Sequence, residues 1–218
     1  MHIQLYHLQN SRSQRIVWLL DELGLDYQLI IHAASQGQHK YPRLILGDNQ
    51  QQELNETSAI THYLCHQHKK LIICPNSIHF WTFSLYQYMS DASLMPLLVM
   101  KQVYQHTVAR TPWLLRWVSF SFKYSINRFY LEPELHNQLE QINQHLAEYD
   151  YVAGEFSYAD ILLWFPLNAC RYALKHFEHY PAITAYLDRL ANRPAFQSAC
   201  HKGEFDEATF KHYWSISQ

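Results

Sequence analysis

Residues 2–32, HIQLYHLQNSRSQRIVWLLDELGLDYQLIIH, decide how the fold is read. In HIQLYHL, Ile3 and Leu5 alternate with Gln4 and Tyr6, the period of two expected of a strand with one buried face. The period then changes. Ile16, Leu19, Leu20 and Leu23 recur at helical spacing, and Gly24 follows where a left-handed C-terminal stop is needed. YQLIIH, residues 27–32, reads as a second strand. Strand, helix and strand over this span predict a right-handed parallel crossover.

Working outward, ASQGQHKYP is a loop, RLIL (43–46) a short strand, GDNQQ a turn, and QELN (52–55) a weaker strand paired back as a hairpin. A helix follows from Glu56, with Ala59, Ile60, Tyr63 and Leu64 as its expected apolar face. The regular signal lapses through HKKLIICPNSIHF, where Pro75 and Asn76 mark a turn or linker. Beyond it the chain reads as helix throughout. WTFSLYQYMSDASLMPLLVMKQVYQ is long and aromatic, with Pro96 as a kink. PELHNQLEQINQHLAEY is amphipathic through Leu135, Leu139, Ile142 and Leu146. The expected class is α/β plus all-α: a βαβ-ββα domain over residues 1–70, a linker at 71–80, and a helical domain at 81–218.

The 218 residues suffice for two small cores, and 48% apolar with 15% aromatic residues describes a packed chain rather than a disordered one. A formal charge of −2 gives no global field towards nucleic acid or an acidic membrane, so neither partner is expected. The start has no apolar leader pattern, and no apolar run reaches the length of a membrane span; a cytoplasmic protein is expected. Cys65, Cys74, Cys170 and Cys200 lie far apart and read as buried free thiols. The histidines near His62, His66 and His68 read as a solvated helix end, with no metal site. Within PWLLRWVSFSFKYSINRFY, Arg116, Lys123 and Arg128 stand among aromatics. A surface-lying membrane helix has this composition, but a buried helix with snorkelling basic ends is the favoured reading.

Asn10, Ser11, Arg12 and Ser13 precede the first helix. They serve either as simple caps or as groups at a positive helix end, where an anion is favoured. In EFSYADI, Ser157 and Asp160 have capping-box spacing, with Phe156 and Ile161 placed as a hydrophobic staple; Asp160 is therefore read as structural.

Five segments in this order resemble the cytosolic glutathione transferases, and the bacterial, serine-type members in particular. YPRL resembles the family's cis-proline turn, ELNETSAITHYL its Glu-Ser segment, and DASLMPLL the first long helix of bacterial members. GEFSYADILL resembles its helical-domain capping motif, and YPAITAYLDRLANRPAF its closing helix. The resemblance implies a thioredoxin-like N-terminal domain, a helical-bundle C-terminal domain and a homodimer. It also implies a detoxification activity in which the glutathione thiolate is added to small hydrophobic electrophiles.

Carried over residue by residue, the resemblance makes Ser11, four positions before Arg15, the hydroxyl that donates to the glutathione sulfur. Ser13 and Asn10 are the rivals, and Arg12 receives no role. The backbone of Tyr41, ahead of Pro42, would pair with the cysteinyl unit. Glu56 would take the α-amine, and Thr57, with its hydroxyl and its N–H at a helix start, the α-carboxylate. Thr57 or Asn55 also reads as a plain N-cap. Lys40 falls near the glycyl carboxylate or is a solvated loop lysine. A free thiol ionises near about 8.5, and one hydrogen bond to the anion with a helix terminus behind it would bring it to roughly 6–7. No cysteine lies between positions 10 and 15, so disulfide exchange on a protein thiol is disfavoured. Two readings stay open beside conjugation: a transferase-like binding module without turnover, and glutathione-dependent reduction of disulfides or peroxides. IIHAASQGQHKYP is shorter than the family's usual segment before the proline, and GDNQQQ slightly longer than its usual turn. The electrophile pocket is expected between the domains, near Tyr86, Met89, Trp113 and Trp117.

Overall fold

The computed structural model describes residues 2–32, 40–47 and 52–215. The expected loop at 33–39 and turn at 48–51 lie outside the described residues, as does most of the segment read as shortened before Pro42. Strand β1 (Ile3–Leu8) buries Ile3, Leu5 and His7 and leaves the alternate residues half-buried. It pairs in parallel with β2 (Gln28–His32) and antiparallel with β3 (Arg43–Leu46), which pairs antiparallel with β4 (Gln52–Asn55). The sheet order is β2-β1-β3-β4. The first helix, α1 (Gln14–Leu23), supplies the crossover, and Gly24 ends it in the left-handed conformation at φ 69°.

The aliphatic face of α1 is buried as its spacing predicts, and Ile16, Val17, Leu19, Leu20 and Leu23 together contribute on the order of 10 kcal/mol of apolar burial. The rest of the helix is buried too, including Gln14, Arg15 and Trp18. Helices from the second domain cover that side: α7 (Tyr158–Ala173) and α9 (Pro194–Lys202) pack on α1. Trp18 meets Phe196 edge-on at 5.0 Å, and the Gln14 amide donates to the Ala199 carbonyl at 2.8 Å.

Helix α2 (Thr57–His68) buries Thr57, Ile60, Thr61, Leu64 and Cys65. The expected face was one position off: Ala59 is exposed and Tyr63 only half-buried. Helix α3 (Phe80–Met89) runs into a π-helical turn over Ser90–Leu94 before α4 (Met95–Arg110). The irregularity therefore precedes Pro96, which sits in the first turn of α4 where its missing N–H is harmless. After a short turn at Trp113–Leu115, α5 (Arg116–Ile126) leads through a second π-helical turn into α6 (Glu132–Glu148). Leu135, Leu139, Ile142 and Leu146 are all buried. α5 overturns its expectation, since none of its residues is buried. Aromatic composition read as core because periodicity cannot tell which side a neighbouring helix occupies.

α8 (Pro181–Ala191) and α10 (Glu207–Ser215) complete the domain around α7, which is buried over nearly its whole length. Asp160 is fully buried; its carboxylate accepts from the Ser157 and Val152 amides at 2.8 and 3.0 Å and from the Tyr186 hydroxyl at 2.9 Å. The capping box forms as expected. Phe156 lies against Trp18 and Tyr151, 5.9 and 5.4 Å between ring centres, so the aromatic cluster fixes its position.

Candidate active site

The loop between β1 and α1 makes the first half of the site. Its backbone reverses through Asn10 at φ 55°, a left-handed conformation that Asn tolerates better than most residues. The turn then closes with Gln14 N–H donating to the Ser11 carbonyl at 3.0 Å. Ser13 stands at the N-cap position of α1 but does not cap it. Its hydroxyl turns back, accepts the Leu8 N–H at 3.0 Å, and lies 2.7 Å from His7 Nδ1. His7 is buried, with Nε2 2.9 Å from the Gly203 carbonyl. That oxygen can only accept, so the hydrogen-bond pattern assigns the ring proton to Nε2 and makes Nδ1 the acceptor of the Ser13 proton. Burial holds the His7 pKa down at about 4, which keeps the ring neutral.

Ser11 differs from Ser13. Its Oγ lies 2.8 Å from Ser13 Oγ and accepts the Ser13 N–H at 3.2 Å, while the side chain is half-buried at a cavity wall. Ser13 is fully buried, with His7 Nδ1 at 2.7 Å and the Leu8 carbonyl at 3.2 Å to accept its proton, and Asn10 uses its side-chain oxygen to accept the Asp206 amide at 2.9 Å. Of the three candidates, Ser11 alone has a hydroxyl that borders open space, its proton held within the protein only by Ser13 Oγ.

The second half lies across the turn from β2 to β3. The Tyr41–Pro42 peptide bond is cis. Lys40, Tyr41, Pro42 and Glu56 line one recess of about 190 Å³, and Arg12 reaches it from the first loop. Thr57, only 5% exposed, opens α2 beside them. Glu56 precedes the helix at φ 76° and Asn55 belongs to β4, so neither Thr57 nor Asn55 is the N-cap; no side chain caps this end. The first intrahelical bond runs from Ile60 N–H to the Glu56 carbonyl at 3.0 Å, leaving the amides of Thr57, Ser58 and Ala59 ahead of it. Such an end favours a carboxylate.

A cavity of about 480 Å³ separates the domains. Ser11 and Arg12 form part of one wall, and Met95, Val99, Phe165 and Trp214 part of the other. The residues expected there lie elsewhere: Tyr86 and Met89 line a depression between α3 and α6, and Trp113 and Trp117 stand at the outer end of the helical hairpin. Sequence reasoning missed α10, which brings Thr209, Tyr213 and Trp214 over the cavity. Its signal was Asp206, whose carboxylate accepts the Ala208 and Thr209 amides at 3.2 and 3.1 Å as an N-cap. Arg12 was missed as well; it lines both recesses, and nothing in the sequence distinguishes it from an exposed loop arginine.

The two halves are held together by Arg15. Its guanidinium is buried and donates to Ser90 Oγ, Asp91 Oδ1 and the Leu162 carbonyl at 3.1, 3.0 and 2.9 Å. Ser58 of α2 donates to the other Asp91 oxygen. Burial would raise the Asp91 pKa, but the Arg15 charge and these hydrogen bonds outweigh it and hold the carboxyl below its usual range.

No cysteine enters this region among the described residues. Burial pushes the Cys65, Cys170 and Cys200 thiols up to about 12, and Cys74 is exposed rather than buried as expected. His62 and His66 are exposed, their rings tilted by 34° at 4.1 Å, while the ligand-bearing groups that converge among the described residues are the exposed His176, Glu178 and His179.

Residues 112–194 match the family model of the glutathione S-transferase C-terminal domain. Glutathione S-transferase 3 of Schizosaccharomyces pombe is 29% identical over 95% of this chain and 90% of its own. The crystal structure of a glutathione S-transferase from Actinobacillus pleuropneumoniae superposes with a TM-score of 0.78 at 25% identity, covering 98% of this chain and 99% of that one. Along nearly its whole length the chain is similar to glutathione transferases. A sphingomonad glutathione S-transferase, solved in complex with glutathione, shares the fold at a TM-score of 0.71 and 20% identity over 93% of this chain and all of its own. In this chain, the sheet and α1–α2 form the thioredoxin-like half and α3–α10 the helical half.

Proposed function

We propose that this protein binds glutathione across the Lys40–Pro42 and Glu56–Thr57 recess and adds its sulfur to small apolar electrophiles held in the interdomain cavity. The observation that carries the reading is the position of Ser11, whose hydroxyl borders the cavity beside Arg12, the residue shared with the polar recess. The exposed Glu56 carboxylate takes the α-amine, and the open amides at the start of α2 take the α-carboxylate. Thr57 contributes its backbone N–H rather than its side chain, which is buried. The Tyr41 backbone pairs with the cysteinyl unit as an added strand, and Lys40, exposed at the recess edge, faces the glycyl end. Several relatives were solved with glutathione or its disulfide, which supports the tripeptide as co-substrate.

The chemistry needs no protein nucleophile. The Ser11 proton is donated to the sulfur and favours thiolate over thiol. The thiolate attacks an electrophilic carbon, a C–S bond forms, and the displaced group leaves with its electron pair. The apolar wall of Met95, Val99, Phe165 and Trp214 suits a hydrophobic acceptor. The reading includes a homodimer in a cytoplasmic setting. A second copy covers α3, where Trp81, Leu85 and Tyr88 are exposed beside the depression facing α6 and Ile78 is exposed just ahead of the helix.

Retention on immobilised glutathione and turnover of a chloro-nitrobenzene acceptor test the reading. Glu56→Gln should weaken glutathione binding about tenfold, the value of one charge-assisted contact. Passage of the parent protein straight through the resin would leave only a binding module of the same architecture. Turnover of a model disulfide without the aromatic acceptor would assign reduction instead.

A further inference from the structure

The tip of the hairpin formed by α4 and α5 takes no part in the site described above. Trp113 and Trp117 are 77% and 71% exposed, and Leu114, Leu115, Phe120 and Phe122 are each more than half exposed. Isolated apolar residues on a surface are ordinary; a continuous aromatic set over three helical turns is not. The inner side of α5 is accounted for. Phe122 meets Tyr104 of α4 edge-on at 5.7 Å, and the Lys123 amine donates to the Gln105 side chain. Trp117, Phe120 and Tyr124 share the helical face left outward by their spacing.

Charge identifies what covers this face. The forty residues from 92 to 131 contain Lys101, Arg110, Arg116, Lys123 and Arg128 and no Asp or Glu, in a chain whose net charge is −2. Lys101 is buried against Glu132 at 3.0 Å, so the outward charge rests on the exposed Arg110, Arg116 and Arg128. Lys123, Arg128 and Lys175 line a recess of about 270 Å³ at the base of α5 together with Glu132, the partner of Lys101. A second copy is a poor occupant. A two-fold contact sets a patch against itself, and here it would oppose arginines with no carboxylate to pair them. An anionic bilayer meets both demands, with aromatic rings at the headgroup boundary and guanidinium groups on phosphates.

We propose that the α4–α5 tip docks the protein on the surface of anionic lipid membranes. The contact is peripheral. α5 has eleven residues, and no helix among the described residues is long and apolar enough to cross a membrane. The tip begins beyond Arg110, 22 residues after Tyr88 along α3 and α4, roughly 33 Å of helical rise, so docking leaves the α3–α6 face free. The inference stands without the glutathione reading.

Each arginine near an anionic surface raises partitioning about fivefold, so the three exposed ones together give roughly a hundredfold preference. The test is co-sedimentation of the full chain with vesicles of phosphatidylcholine alone or mixed with phosphatidylserine. The expected result is pelleting with the mixed vesicles, loss of it at high salt, and a blue shift of tryptophan emission. W113S/W117S alters only exposed side chains, so it should melt like the parent and bind at least tenfold more weakly. R110Q/R116Q/R128Q should lose the anionic preference. Equal pelleting with both vesicles, or none with either, overturns the proposal. So does association beyond a dimer that W113S/W117S abolishes, which would assign the face to a second copy.

Discussion

Replacing Ser11 by Ala tests the hydrogen-bond order around α1. The Ser13 proton is held inside the protein, by His7 Nδ1 at 2.7 Å, which accepts because His7 Nε2 faces the Gly203 carbonyl and burial keeps the ring neutral, or by the Leu8 carbonyl at 3.2 Å. The Ser11 proton rests only on Ser13 Oγ at 2.8 Å and is free to rotate towards a sulfur in the cavity. One hydrogen bond to an anion contributes about 1.5–3 kcal/mol. At about 1.4 kcal/mol per pKa unit, its loss raises the bound thiol by roughly one to two units, back towards the free value. Ser11→Ala should therefore conjugate about 5- to 50-fold more slowly near pH 6.5, with the gap closing at alkaline pH where the thiol ionises unaided. Affinity for glutathione should change no more than a few-fold. The measurements are kcat/KM against pH and the ultraviolet absorbance of bound thiolate. An unchanged pH profile, or an equal fall at every pH, refutes the assignment. Ser13→Ala is the control with the opposite signature. It strips the Leu8 amide of its acceptor and His7 of its donor, which costs about 2–4 kcal/mol of stability, while the pH profile of the surviving activity stays put.

His7 predicts an acid-side loss of stability. Its folded pKa of about 4 lies below its unfolded value near 6.5, so its contribution is full above pH 6.5 and falls away as pH drops towards 4. The loss approaches about 3 kcal/mol and should be missing from His7→Gln, read as the difference between the two denaturant-midpoint profiles against pH. Arg15→Leu removes a fully buried cation that ties α1 to Asp91 and the Leu162 carbonyl. A cost of about 3–5 kcal/mol and a melting temperature roughly 10 °C lower are expected. The double variant with Asp91→Leu should recover part of that loss; a single variant as stable as the parent refutes the linking role.

Much of this molecule was legible in order along the chain. Ile3 and Leu5 at period two, Ile16 to Leu23 at helical spacing, and Ser157 with Asp160 at capping distance each report a choice made by neighbours in sequence. The residues around the candidate site were legible only as a set of types. Which serine keeps its proton depends on His7 and on Gly203, a residue 190 positions beyond Ser13. The cavity wall needed α10, at the far end of the chain, and Arg12 gained its place only when two loops met.

Local pattern along the chain sets the elements, their division into two halves, and the helix ends where an anion can rest, because periodicity and capping act within a few residues. Tertiary structure decided what those elements face. It buried Gln14 and Arg15 under α7 and α9 although their side of α1 reads as polar, and it left the aromatic α5 facing outward although its composition reads as core. The reason is physical: burial depends on which distant surface arrives, and a local pattern carries no information about that surface.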